Sequence, residues 1–166
     1  MYPIENTCCF TGHRAAKLPW RYDEADARCV KLKRDIAAAL KCLYSGGYRR
    51  FICGMALGCD MYFAEAVLAL KAGHPDVFLE AAVPCPDQDS RWPEHERERY
   101  QGLLERCDKY TLISERYTFS CMNERNEYMI EQSSLLVAVF SGERGGTFNT
   151  IRRAVSMGRR IVEIGI

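Results

Sequence analysis

The sequence has no long apolar run, almost no net charge and no Cys-x-x-Cys pair, and it carries only 3 histidines and 2 tryptophans. No stretch approaches the roughly 18 consecutive apolar residues that a membrane-spanning helix requires. Met1 to Asn6 lack the basic segment and apolar core of a secretion signal. A cytoplasmic protein with no membrane partner is therefore expected. With 23 Lys+Arg against 22 Asp+Glu, the formal net charge is +1, which excludes a strongly basic arm as the whole basis of binding. There are 9 cysteines, an odd number with no Cys-x-x-Cys spacing, and several fall inside apolar runs. They read as reduced, mostly buried thiols rather than as disulfides or metal ligands, so no metal site is expected.

What is present is ordinary for a globular chain: 166 residues, 48% hydrophobic and 27% charged, enough for one compact domain around a single core. Short apolar runs alternate with longer amphipathic ones, the pattern of strands separated by helices in a parallel sheet. Strands are predicted at 7–11, 50–53, 77–83, 110–113, 134–140 and 160–164. Helices are predicted from an Asp23 cap to about 45, over 60–72, from about 94, over 123–132 and over 148–157. The unbroken run Leu135 to Phe140 suits a central strand buried on both faces. The fold class is α/β, a three-layer Rossmann-like domain with a mostly parallel sheet of about six strands.

In such a sheet, ligands bind beyond the carboxyl ends of the strands. Three loops there carry unusual residues: Thr11-Gly12-His13-Arg14 after the first strand, Gly54 to Asp60 after the second, and Ser141 to Thr147 after the fifth. Gly54, Gly58, Gly145 and Gly146 permit close backbone approach, and each glycine loop opens a helix whose first N–H groups suit an anion. The loops match neither Gly-x-x-x-x-Gly-Lys-Ser/Thr nor Gly-x-Gly-x-x-Gly. The plain alternative is a pair of tight turns with Asp60 and Thr147 as helix caps.

Arg14, Arg125 and Arg144 are available as countercharges, and His13 and Asn126 as contacts to a base or sugar. For Arg125-Asn126 the alternative is an exposed helical pair. Asp60 would fix the second loop or a ribose hydroxyl, and Glu65 and Asp60 are the weak catalytic candidates. Trp92 reads as a lid on the loop after the third strand, with base stacking as the alternative.

The order Thr-Gly-His-Arg (11–14), Gly-x-x-x-Gly-x-Asp (54–60), Pro-x-x-x-Gln-x-x-x-Trp (84–92), Arg-Asn (125–126) and Gly-Gly-Thr (145–147) resembles the YpsA-like branch of the SLOG superfamily. The resemblance implies a Rossmann-like domain related to the DNA-processing protein DprA and to the LOG phosphoribohydrolases. It also implies a site for nucleotides or nucleotide-derived ligands such as ADP-ribose, and a homodimer. LOG enzymes carry Pro-Gly-Gly-x-Gly-Thr-x-x-Glu. Here no proline precedes the glycines, and Thr150 stands where that glutamate would be.

A carboxylate suits stabilisation of an oxocarbenium-like centre and activation of water, whereas a threonine does not. The expected function is therefore a nucleotide-binding or sensing module with no certain cofactor. The alternatives are an N-glycosidic hydrolase or transferase acting on nucleoside monophosphates and, third, a single-strand DNA binder. The charge balance speaks against nucleic acid as a partner.

Overall fold

The structure is a computed structural model that describes residues 2–166. Six strands, β1 (Thr7–Thr11), β2 (Arg50–Cys53), β3 (Phe78–Val83), β4 (Lys109–Leu112), β5 (Leu135–Phe140) and β6 (Arg160–Gly165), form one sheet in the order β4-β3-β2-β1-β5-β6. Every neighbouring pair is parallel. The five helices are α1 (Ala27–Ser45), α2 (Cys59–Gly73), α3 (Glu94–Arg106), α4 (Cys121–Glu131) and α5 (Gly146–Ser156). The chain moves outward from β1 to β4, then returns through α4 to place β5 on the other side of β1. That reversal opens a crevice between the carboxyl ends of β1 and β5. Right-handed crossovers in opposite directions put α1 to α3 on one face of the sheet and α4 and α5 on the other.

Alternation along the central strands fills both layers. Leu135, Val137 and Val139 of β5 join Cys8 and Phe10 of β1 in the larger core, beneath α1 and α2. Leu136 and Ala138 join Cys9, Met129 and Ala154 in the smaller core, beneath α4 and α5. On α1, Cys29, Leu32, Ile36, Leu40 and Leu43 make the buried stripe. This helix starts later than its sequence suggests. Asp26 is the cap, accepting the Arg28 N–H at 2.8 Å, while Asp23 closes a preceding turn by accepting from Ala25. The short turn 23–26 is favoured locally because an aspartate can bond the amide two residues on.

Burial explains the one charge inside β3. Glu80 is fully buried and accepts from Arg50 Nε at 2.8 Å, Thr111 Oγ1 at 2.8 Å and Tyr128 Oη at 2.6 Å. All 9 cysteines are unpaired; Cys42 is exposed, Cys107 partly buried and the remainder buried. Among the described residues no helix is long and apolar enough to cross a membrane.

Candidate functional site

Two of the three loops lock together through glycine. Gly58 has φ +94°, and a Cβ there would stand 2.5 Å from Ala15 N and 2.9 Å from His13 O. The Cys59 N–H donates to His13 O at 3.2 Å, so the loop after β1 lies directly on the amino end of α2. A Cβ on Gly12 would meet Cys59 Cβ at 2.6 Å. These contacts set the height at which His13 and Arg14 leave the sheet.

The turn after β2 is held by charge. Asp60, 7% exposed, accepts the Ala56 N–H at 3.0 Å. Arg125 of α4, 5% exposed, reaches across to donate from Nη1 to the Gly54 carbonyl at 2.6 Å and from Nε to Asn126 Oδ1 at 2.8 Å. Burial pushes the Asp60 carboxyl above the ordinary aspartate range, against the pull of the Arg125 guanidinium. It also lowers Arg125, against the attraction of Asp60. Arg125 is therefore not an exposed helical residue: the guanidinium is used from within to shape the loop.

The third loop follows β5. The Ser141 N–H and Oγ lie 3.2 and 2.9 Å from His13 Nε2. Burial and the nearby Lys17 lower His13 below the ordinary histidine range, although Glu143 opposes them. Gly145 precedes α5 and Gly146 begins it, and Thr147 is buried in its first turn. Thr150 donates back to Gly146 O at 2.9 Å and accepts from Asn126 Nδ2 at 3.3 Å. Its hydroxyl is thus spent between α4 and α5.

Together the loops enclose a cleft of about 380 Å³ at the β1/β5 crevice. Thr11, Gly12, His13, Arg14, Asp60, Arg125, Asn126, Gly145, Gly146 and Thr147 line it. Gly54, Gly58 and Ser141 do not line it: Gly54 packs under Arg125, Gly58 lies against residues 13–15, and Ser141 is exposed and bonds His13. In the second loop the Ala56 and Cys59 amides are taken by Asp60 and His13, whereas at the start of α5 a Cβ on Gly146 would meet no atom of the described residues within 4 Å.

Glu65 is also displaced. Five residues past Asp60 on a helix is a rotation of about 140°, and Glu65 faces outward to pair with Arg99 at 2.7 Å. Trp92 packs edge-on against Tyr100, with ring centres 5.1 Å apart, and does not line the cleft.

The sequence reading missed Lys17, Met122, Asn123 and Glu143. Lys17 comes from a short 3-10 turn, Ala15–Lys17, that doubles back so that Nζ stands 3.7 Å from the Cβ position of Gly145. Its only sequence signal is a basic residue in a loop. Four basic side chains (Arg14, Lys17, Arg125 and Arg144) and two carboxylates (Asp60 and Glu143) face the cleft, a cationic excess of two.

The sequence pattern of the YspA SLOG family (YpsA) matches residues 8–159. The chain belongs to the YspA SLOG family. The matched span runs from β1 past α5, so it takes in every residue of the cleft. Within curated sequences, this YspA SLOG chain is 33% identical over 138 residues to the uncharacterized SPbeta prophage-derived protein YoqJ of Bacillus subtilis (strain 168), covering 75% of this chain and 81% of that protein. It is 29% identical over 142 residues to a UPF0398 protein of Bacillus anthracis, covering 82% and 75%.

Among solved structures, DNA processing protein A (DprA) of Streptococcus pneumoniae superposes with a TM-score of 0.65 at 14% identity over 96% of this chain. The Helicobacter pylori protein, described for its single-stranded DNA binding mode, gives 0.62 at 15% over 95%. The YspA SLOG chain spans 50% and 64% of those two proteins' lengths. At such identities the likeness is one of fold. It agrees with the Rossmann-like architecture.

Proposed function

We propose that the cleft binds the phosphate-bearing part of a nucleotide or nucleotide-derived ligand, such as ADP-ribose, and that the protein acts as a binding or sensing module. One observation carries this reading: residues remote in sequence bring four basic side chains and the amino end of α5 to one cleft of about 380 Å³. Small-ligand sites are typically about 300–1,000 Å³. The partial positive charge and unpaired amides of a helix start add to the cationic excess. The cysteines, all unpaired, suit a reducing compartment, which favours the cytoplasm.

A thermal-shift screen over nucleoside phosphates, ADP-ribose and dinucleotides tests the reading. A true ligand stabilises by an amount that rises with the logarithm of its concentration above Kd, about 2.7 kcal/mol at 100 times its Kd, and is recovered unchanged. No shift with any of them would sink it.

Asp60 supports a second reading, N-glycosidic cleavage of a nucleoside monophosphate. It is a buried carboxyl on the cleft held above its ordinary range, and its second oxygen accepts no hydrogen bond among the described residues. Chromatography of incubated nucleotides separates the two readings: free base appears only if there is turnover. Single-stranded DNA, bound by the Helicobacter protein, is the third possibility and is checked by a salt-dependent mobility shift.

A further inference from the structure

His13 lines the cleft and is bonded through one ring nitrogen to Ser141, an exposed residue of the loop after β5. The Ser141 amide is directed at Nε2 from 3.2 Å, with Oγ of the same residue 2.9 Å away. An amide N–H can only donate, so Nε2 presents its lone pair, and the single hydrogen of the neutral ring resides on Nδ1. The serine hydroxyl can donate to the same lone pair and reinforce the arrangement.

The charged groups acting on the ring come from two segments: Lys17 from the segment after β1 and Glu143 from the loop after β5. Burial and Lys17 disfavour a second proton, and Glu143 only partly offsets them. Phe140 lies beside the ring, with centres 6.3 Å apart and planes inclined by 29°. With Nε2 engaged by Ser141, the ring nitrogen without a partner among the described residues, and so left for a ligand, is Nδ1–H.

We propose that Ser141 is a positioning residue that holds His13 as a neutral Nδ1–H donor, and that this donor recognises an uncharged acceptor on the ligand. Such an acceptor is a sugar oxygen or a base nitrogen or carbonyl. The phosphate is then held by the cationic side chains, because charge-assisted hydrogen bonds to an oxyanion are the stronger ones. The inference rests on the phosphate-ligand reading and deepens it: the cleft distinguishes a nucleoside phosphate from inorganic phosphate, and His13 supplies part of the difference.

The test has two arms. In the first, long-range 1H–15N correlation spectra of the wild-type imidazole at pH 7 show a protonated Nδ1 and a bare Nε2; an imidazolium or the opposite tautomer overturns the proposal. Ser141→Ala removes one of the two donors that stabilise the bare nitrogen, so His13 then titrates at higher pH. An unchanged titration removes the hydroxyl from the mechanism.

The second arm is calorimetry with AMP and with inorganic phosphate. His13→Asn keeps an amide donor near the Nδ1 position, whereas His13→Gln carries its amide out to the Nε2 position. His13→Gln weakens AMP binding about five- to tenfold, the value of one hydrogen bond. His13→Asn stays within about twofold of wild type on the same scale, and neither changes phosphate binding. The reverse order of the two variants, or an equal loss for both probes, overturns the proposal. If wild-type protein binds neither probe, the phosphate-ligand reading has failed, and the spectra still decide the tautomer.

Discussion

Gly146→Ala separates ligand binding from folding at the amino end of α5. An added Cβ meets no atom within 4 Å, and Gly146 is not among the residues with positive φ. The folded protein therefore accepts alanine without strain. Restricting the unfolded chain adds up to about 1 kcal/mol of stability, a rise in Tm of about 2–4 °C for a chain of this size. A phosphate cradled by this helix start, however, must approach the backbone where the methyl group would stand. Losing even one charge-assisted hydrogen bond, about 1.5–3 kcal/mol, weakens binding at least about tenfold.

Gly58→Ala is the contrasting variant. There the backbone conformation favours glycine, at a cost of about 1–3 kcal/mol for another residue. The methyl would also press on Ala15 N and His13 O, backbone atoms with little room to give, adding about 1–3 kcal/mol. A Tm lower by about 5–20 °C follows. Scanning fluorimetry and calorimetry with AMP or ADP-ribose measure both effects. A Gly146→Ala protein that binds as tightly as wild type would refute the placement of phosphate at α5.

The buried ion network, the cleft carboxyl and the thiols give three further expectations. Burial pushes the Glu80 carboxyl up, but donation from Tyr128, Arg50 and Thr111 outweighs it and leaves the group below the ordinary glutamate range. Its stabilisation is present at neutral pH and is lost as pH falls through that lowered value. Glu80→Gln costs about 3–5 kcal/mol at pH 7 by leaving the Arg50 guanidinium buried without its anion, and the acid limb of the Tm profile flattens; an unchanged Tm at pH 7 refutes this.

Asp60 has the opposite sign: raised in the folded state, it penalises the ionised native form at neutral pH. Asp60→Asn, which keeps an acceptor for Ala56, therefore raises Tm at pH 7 relative to wild type, and the difference shrinks as pH falls toward the ordinary aspartate range. Constant destabilisation across that range would contradict it. Finally, native thiol titration with an aromatic disulfide reagent modifies Cys42 first, and all 9 cysteines react only after denaturation; rapid modification of Cys8 or Cys53 in the native protein would show the core to be open.

Burial periodicity is local, so the order of elements, the interior position of β5, paired on both sides, and the concentration of unusual residues after β1, β2 and β5 are legible from the residues alone. Boundaries shift by a few residues where capping chemistry competes, as at Asp23 and Asp26. What depends on non-local pairing is not legible. That β5 lies beside β1, rather than beside β4 from which the chain arrives, follows from the assembled sheet, and this adjacency makes His13 and Ser141 neighbours across 128 positions of sequence.

The same holds for the division of labour among similar residues. Gly146 opens on space while Gly58 is pinned against backbone, and Arg125 turns inward to a carbonyl. Lys17 arrives at Gly145 through a turn no periodicity announces, and Glu65 is carried away from Asp60 by the helix phase. Residue type states which interactions a side chain is able to make, but only the packed structure decides which partner comes within reach.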